Sequence, residues 1–204
     1  MKSKIIFITG TDTGVGKTFF AMRLTRQFRA AGLRVAALKP ICSGNRADAR
    51  ALRDAAGNVL SLDAVNPWHF RAPLAPLLAA WQERRRVTLH EVTARIRRVV
   101  EDFNVVIVEG AGGLLSPLGE GFDSRDLILA LKAKSIIVAP NRLGVVNQVR
   151  LVLTALPSTL ARIAEVVLIQ PQRPNAASRT NPKLLAEFMD RRRITLSPWL
   201  PGPR

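Results

Sequence analysis

The sequence has a single cysteine, no tyrosine and no long hydrophobic run, and each of these absences limits what the chain can be. One cysteine, Cys42, excludes a fold held together by disulfide bonds. No apolar run reaches the roughly 18 residues that a membrane-spanning helix needs. The apolar stretch at 5–8 is too short for the core of a signal peptide. We therefore expect a reduced, cytoplasmic protein.

Acidic residues are scarce, since 15 Asp and Glu stand against 31 Lys and Arg, a formal net charge of +16 in 204 residues. Such a charge has two interpretations: binding to a polyanion such as DNA, RNA or anionic lipid, or cations scattered over the surface. The basic clusters at 84–86, 97–98 and 191–193 contain no interleaved aromatic residues, which favours the second. We therefore expect no nucleic-acid partner and no membrane partner.

Short apolar runs alternate with helical patterns along the chain. The predicted strands are 4–9, 34–39, 105–108, 135–139, 165–169 and 194–196. The predicted helices cover about 17–31, 47–56, 72–82, 88–102, 124–133, 145–156 and 181–191. Continuous apolar strands that alternate with helices are typical of a parallel sheet covered on both faces. The predicted fold class is thus three-layer α/β, in one domain spanning 1–204.

The first predicted strand runs directly into a glycine-rich segment that ends in Gly16-Lys17-Thr18. Five residues, rather than the usual four, separate Gly10 from Gly16. A glycine-rich turn between a strand and a helix N-terminus directs backbone N–H groups at a polyphosphate. Lys17 can reach the β- and γ-phosphates, and the Thr18 hydroxyl can ligate Mg²⁺. This junction predicts a nucleotide-binding loop.

Charged residues follow two other predicted strands. Lys39 ends the second strand, and Glu109 comes directly after the strand at 105–108. Because the carboxyl ends of parallel strands meet at one edge, these side chains should face the phosphate loop. Lys39 can stabilise charge that develops in phosphoryl transfer, and Glu109 can hold Mg²⁺. On local evidence alone, Asp48 is a weaker candidate for a second metal carboxylate.

Together, these segments resemble the dethiobiotin synthetase family, whose fold is of the P-loop NTPase type. The matching segments keep their order over residues 5–200, which is nearly the whole chain. They are the loop at 10–18, Lys39-Pro40 with Ser43-Gly44, Asp48-Ala49, a central segment of Val65-Asn66-Pro67 with Phe70 and Pro73-Leu74-Ala75-Pro76, Glu109-Gly110-Ala111-Gly112-Gly113, Leu143-Gly144 with Asn147, and Pro198-Trp199-Leu200.

The resemblance implies a ligase that converts 7,8-diaminononanoate, CO₂ and ATP to dethiobiotin through a carbamate and a carbamic–phosphoric anhydride. It implies that Lys17 and Lys39 are catalytic, and that Thr18, Asp48 and Glu109 hold Mg²⁺. Thr13 and Ser43 would contact the diamine, while Gly144 and Asn147 would bind its carboxylate from a partner subunit, which implies a homodimer. The implied nucleotide-binding residues are Gly14, Val15, Gly16, Lys17, Thr18, Phe19, Asp48, Glu109, Gly110, Ala111, Gly112, Gln170, Pro198, Trp199 and Leu200.

The sequence departs from the family pattern at three places, and two of them, the Asn-Asp pair and the C-terminal Glu, bear on adenine binding. An Asn-Asp pair usual in the family is Ile169-Gln170 here, and a His usual in the central segment is Leu77. The family chain continues past Pro-Trp-Leu to a ligand-contacting Glu, whereas this sequence ends at Arg204. We therefore expect loose nucleotide selectivity.

Two alternatives to the ligase stay open at this point. One is a relative that binds nucleotide with little or no turnover. The other is a DNA-associated, partition-type ATPase, although such proteins usually carry an extra lysine early in the loop, where this sequence has Thr11.

Overall fold

The structure, a computed structural model, describes residues 4–199. The strands are β1 (Lys4–Gly10), β2 (Val35–Leu38), β3 (Ile41–Ser43), β4 (Trp68–Phe70), β5 (Val105–Glu109), β6 (Pro117–Gly119), β7 (Phe122–Asp123), β8 (Lys134–Pro140), β9 (Glu165–Ile169) and β10 (Ile194–Ser197). The helices are α1 (Lys17–Ala30), α2 (Ala47–Ala55), α3 (Leu62–Val65), α4 (Pro76–Gln82), α5 (Leu89–Val100), α6 (Ser124–Leu131), α7 (Val145–Ala155), α8 (Ser158–Ala161) and α9 (Ala176–Ala186).

Six strands form the central sheet in the order β10-β9-β8-β1-β5-β2, and every neighbouring pair is parallel. Successive β1 side chains point to opposite faces, so Ile6 and Ile8 pack with α1 and α2 in one apolar cluster. Phe7 instead packs in a second cluster, to which α5, α6, α7 and α9 contribute. The sheet is thus covered on both faces, which confirms the predicted three-layer α/β class.

All six sheet strands point the same way, so their carboxyl ends share one edge. The segments that leave this edge are the loop after β1, the turn after β2, the glycine turn after β5 and the loops after β8 and β9. In sheets of this kind ligands bind outside the carboxyl ends of the strands. The fold therefore gathers the segments that the sequence analysis singled out.

Two small sheets were not predicted. β3 pairs parallel with β4, and β6 pairs antiparallel with β7. Each strand has two or three residues, which is too short for an alternating pattern to stand out. The β3–β4 pair bears on the site because it carries Ser43 at its end.

The observed boundaries of the predicted helices lie within about two residues of the predicted ones, except in two places. The helix predicted over 72–82 begins only at Pro76, which stands in its first turn, where a missing N–H costs nothing. The helix predicted over 181–191 is wrong in position, because α9 covers Ala176–Ala186. Asn175 caps its start through a reciprocal pair of bonds with Ser178, and Pro182 lies inside it.

Within residues 4–199, no helix combines the length and the apolar character that crossing a membrane requires.

Candidate active site

The phosphate loop lies between β1 and α1, and its shape depends on glycine. Gly14 has φ 71° and Gly16 has φ 95°, a left-handed conformation that L side chains rarely adopt. A Cβ on Gly16 would also lie 3.2 Å from Ile169 Cγ1, at the end of β9. The loop therefore packs directly against the strand end on which the family usually places its adenine contact.

The Lys17 side chain folds back over the loop. Its Nζ donates to the Asp12 carbonyl at 2.6 Å, and the residue is 6% exposed. Burial and the nearby Lys39 ammonium lower the pKa of Lys17 to about 8. An anion placed beside this ammonium would offset both effects, so the geometry suits a phosphate.

A buried ion pair joins the ends of β2 and β5. Lys39 Nζ donates to Glu109 Oε1 at 2.5 Å and to the Gly110 carbonyl at 3.0 Å, and Asp48 Oδ2 lies 3.4 Å away. Burial alone would lower the pKa of Lys39, but the Glu109 and Asp48 carboxylates outweigh it and raise that pKa. Lys39 is thus held as a cation at the centre of the site.

One oxygen of the Glu109 carboxylate accepts two hydrogen bonds, and the other accepts none within the described residues. Oε1 accepts from Lys39 and from the Thr18 hydroxyl at 2.8 Å, whereas Oε2 is buried and has no partner within the described residues. Residues 4–199 contain no cluster of three or more His, Cys, Asp or Glu side chains. The protein thus offers Thr18, Glu109 and Asp48, a sparse oxygen set that fits Mg²⁺, which keeps waters and phosphate oxygens as ligands.

Thr13 lies exposed in the phosphate loop, and Ser43 ends β3. A Cβ on Gly112 would lie 3.9 Å from Thr13 Oγ1, so the phosphate loop adjoins the glycine turn after β5. Ser43 is partly exposed and donates to the Leu74 carbonyl at 2.5 Å. Both hydroxyls thus belong to segments that border the lysine pair, as a substrate-binding role would require.

Gly144 and Asn147 lie at the start of α7, after β8. Gly144 is the N-cap, with φ 89°, and both residues are exposed. No hydrogen bond of the described residues links either of them to Thr13 or Ser43. The structure of one chain therefore does not join the two halves of the expected substrate site.

The expected nucleobase end lies beyond Gly16. Gln170 follows Ile169 and donates its backbone N–H to the Ser197 carbonyl at 2.8 Å, which brings the residues after β10 to the same edge. Pro198 and Trp199 are exposed there, and Leu200 lies outside the described residues. Among the other expected nucleotide-binding residues, Val15 is buried, and Phe19 and Ala111 are half-buried.

Two polar residues that support the site were not singled out for this role in the sequence. His69 on β4 lies with its Nε2 2.7 Å from the Gly44 carbonyl, beside Ser43. Asn141, 1% exposed, follows β8 and hydrogen-bonds both α9 and the end of β9. A signal existed for Asn141, since it is a polar residue at the carboxyl end of a parallel strand, whereas His69 depends on an unpredicted sheet.

Comparisons with known proteins bear on the fold and on the family. The model of a family described as an AAA domain matches residues 4–202. In the crystal structure of hydrogenase maturation factor HypB from Archaeoglobus fulgidus, a chain with 15% sequence identity superimposes with a TM-score of 0.55. The match covers 97% of this chain and 82% of that one. At this identity the likeness concerns the fold alone.

Curated relatives are more specific. The chain is 42% identical over 201 residues to the ATP-dependent dethiobiotin synthetase BioD of Anaeromyxobacter dehalogenans, covering 96% of this chain and 90% of the relative. It is 36% identical to the synthetase of that name from Bacillus subtilis, covering 88% and 80%. It is 34% identical to the one from Methanocaldococcus jannaschii, covering 80% and 78%. The chain therefore belongs to the dethiobiotin synthetase family.

Proposed function

We propose that this protein is an ATP-dependent ligase that forms the cyclic urea dethiobiotin from 7,8-diaminononanoate and CO₂. The observation that carries the proposal is the cluster of Lys17, Lys39, Thr18 and Glu109 at the phosphate loop. Two lysines in one buried centre suit a reaction in which two anions must meet. The carbamate and the γ-phosphate repel each other in water, and fixed cations offset that repulsion.

The first step joins CO₂ to one amine of the substrate. The amine nitrogen attacks carbon, a C–N bond forms, and a proton leaves the nitrogen to give a carbamate anion. Lys39 Nζ is held by Glu109 and Gly110 on one side and can interact with this anion on the other. Thr13 and Ser43 supply hydroxyl groups for the same substrate. These contacts would fix the reacting amine beside the lysine.

The second step transfers the γ-phosphoryl group. A carbamate oxygen attacks phosphorus, the bond to ADP breaks, and a mixed carbamic–phosphoric anhydride results. Lys17, the N–H groups of the phosphate loop and the N-terminus of α1 stabilise charge on the phosphoryl oxygens. Mg²⁺, held by Thr18, Asp48 and Glu109, would neutralise charge on the nucleotide phosphates.

The third step closes the ring. The second amine attacks the anhydride carbon, the C–O bond to phosphate breaks, and the nitrogen loses a proton. Phosphate departs as a stable anion, which makes the ring closure favourable. Lys17 and Lys39 remain beside the leaving group, where their charge assists this step as well.

A homodimer would complete the site. Leu143 is 86% exposed just before α7, and Leu151 is exposed about two helical turns further on, so apolar surface borders Asn147. Leu78 and Trp81 on α4 are exposed as well, on the segment whose Leu74 carbonyl accepts from Ser43. Contiguous exposed apolar residues often mark protein interfaces. In the proposal, Gly144 and Asn147 of one chain bind the substrate tail in the other, in a cytoplasmic enzyme built from one domain per chain.

The test is formation of dethiobiotin by purified protein, read by mass, with diaminononanoate, bicarbonate, Mg²⁺ and ATP. The expected result is product from the wild type and from Lys183→Met, a control on the exposed side of α9. Lys17→Met and Lys39→Met should form product at least about 100-fold more slowly than the wild type. Folded wild-type protein that binds Mg-nucleotide and yields no product would contradict the proposal. DNA binding that weakens with salt would then support a partition-type ATPase.

A further inference from the structure

Buried polar residues join α9 to the loop between β8 and α7. Asn141, Ser178 and Asn181 are each less than 7% exposed. Asn181 Nδ2 donates to Asn141 Oδ1 at 2.8 Å and to the Arg142 carbonyl at 3.0 Å. A buried amide costs free energy unless it is paired, so these bonds favour one conformation of the loop.

A proline in α9 explains why Asn141 belongs to this network. Pro182 has no N–H, so the Ser178 carbonyl, four residues earlier, lacks its helical donor. Asn141 Nδ2 donates to that carbonyl at 2.8 Å and takes the place of the missing bond. The proline is therefore accommodated in α9 by a side chain from the site edge of the sheet, and helix and loop are held together.

The same asparagine connects the two ends of the candidate site. Its backbone N–H donates to the Ile169 carbonyl at 2.8 Å, and the Ile169 side chain packs against Gly16 of the phosphate loop. The next carbonyl, that of Arg142, accepts from the Val145 N–H at the start of α7. The conformation of the loop at 141–144 thus sets where α7 begins relative to β9.

We propose that Asn141 and Asn181 are positioning residues that hold this loop so that Gly144 and Asn147 can bind the carboxylate tail of the substrate. The inference rests on the proposed function. Neither asparagine is placed at the reacting atoms. The ion pair of Lys39 and Glu109 lies at the ends of β2 and β5, whereas Asn141 follows β8 and Asn181 lies in α9. Loss of the network should therefore weaken binding of the diamine and leave the chemical step intact.

The test compares Asn181→Asp with Lys183→Gly. The aspartate keeps the size of the side chain but cannot donate to Asn141 Oδ1 or to the Arg142 carbonyl. The glycine weakens the same helix from its exposed side and touches no member of the network. Asn181→Asp should raise KM for the diamine about tenfold while kcat and KM for ATP stay within about twofold. Lys183→Gly should lower Tm and leave all three constants unchanged.

Amide hydrogen exchange supplies a second measurement, of loop stability, that does not depend on turnover. Exchange over 142–148 should be faster in Asn181→Asp than in the wild type, and unchanged in Lys183→Gly. An unchanged KM for the diamine, or an equal rise in both variants, would overturn the inference. Wild-type protein that makes no dethiobiotin would instead overturn the proposed function and the substrate role of the loop. Exchange would then decide whether Asn181 holds the loop at all.

Discussion

The two ends of the candidate site differ in how buried and how firmly bonded their residues are within one chain. At the phosphate end, the side chains of Lys39 and Glu109 are 5% and 1% exposed and directly bonded. At the tail end, Gly144 and Asn147 are exposed, next to Leu143 with 86% of its surface accessible. The buried charged pair is preorganised, whereas the surface proposed to bind the substrate tail is left open.

Physical chemistry accounts for this difference. Charges act most strongly on a transition state when they are fixed in advance and shielded from water, so the reaction centre belongs at the ends of buried strands. A flexible aliphatic tail needs only a surface that closes on it. Such a surface can come from a second subunit.

The largest expected effect on activity and stability comes from breaking the buried ion pair of Lys39 and Glu109. Lys39→Met should lower kcat by about 100- to 1000-fold, because the charge beside the carbamate is lost. It should also lower the free energy of unfolding by about 3–5 kcal/mol, since Glu109 is left as an unpaired buried carboxylate. Denaturant unfolding and steady-state kinetics measure the two losses.

The double variant Lys39→Met/Glu109→Gln separates these losses. A neutral amide needs no counter-ion, so the double variant should regain at least half of the lost stability and none of the activity. Equal stability of the single and double variants would mean that the unpaired Glu109 carboxylate is not the cause of the lost stability.

The second effect concerns the phosphate loop. Gly16→Ala should weaken binding of Mg-ATP by more than about tenfold, because a Cβ at φ 95° is strained and meets Ile169. Gly32→Ala is the matched control, with φ 77° and nothing within 4 Å of the added Cβ. It should lose stability and keep its affinity in titration calorimetry. Equal affinities in both variants would contradict the assignment of the loop.

A smaller effect is expected at the nucleobase end, where Ile169 and Gln170 offer little to distinguish one base from another. We expect kcat/KM for ATP, CTP and GTP to lie within about tenfold of one another, a difference of roughly 1.4 kcal/mol. Turnover with each nucleotide measures it. A strict preference for ATP, with CTP and GTP inert, would show that residues other than these two read the base.

The smallest effect lies away from the site. Thr88 caps α5 through its bond with the Glu91 N–H, within a capping box. Thr88→Ala should cost about 1 kcal/mol of stability and leave activity unchanged, which thermal unfolding and the turnover assay can check. A loss of activity larger than the loss of folded protein would mean that α5 communicates with the site.

The sequence predicts the phosphate end better than the rest, for a physical reason. Continuous apolar strands and a glycine-lysine-threonine junction are local signals, and parallel strands place Lys39 and Glu109 together. The β3–β4 pair that carries Ser43 has no local pattern of its own. Pro182 fits inside α9 because Asn141, 41 residues earlier in the chain, donates to the carbonyl that the proline leaves without a donor. Helix propensity is a local quantity, so it does not reveal a helix whose proline is accommodated by a distant side chain. The proposed role of Asn147 involves a second chain, which the pattern of one sequence does not describe.

The most direct test of the account is transfer of an oxygen atom from bicarbonate to phosphate. In the proposed route a carbamate oxygen attacks the γ-phosphorus and stays with it when the ring closes. With ¹⁸O-labelled bicarbonate and unlabelled ATP and water, phosphate and the urea oxygen of dethiobiotin should carry the same fraction of ¹⁸O, read by mass spectrometry at short reaction times. Phosphate without label, formed together with dethiobiotin whose urea oxygen is labelled, would contradict the route through a carbamic–phosphoric anhydride.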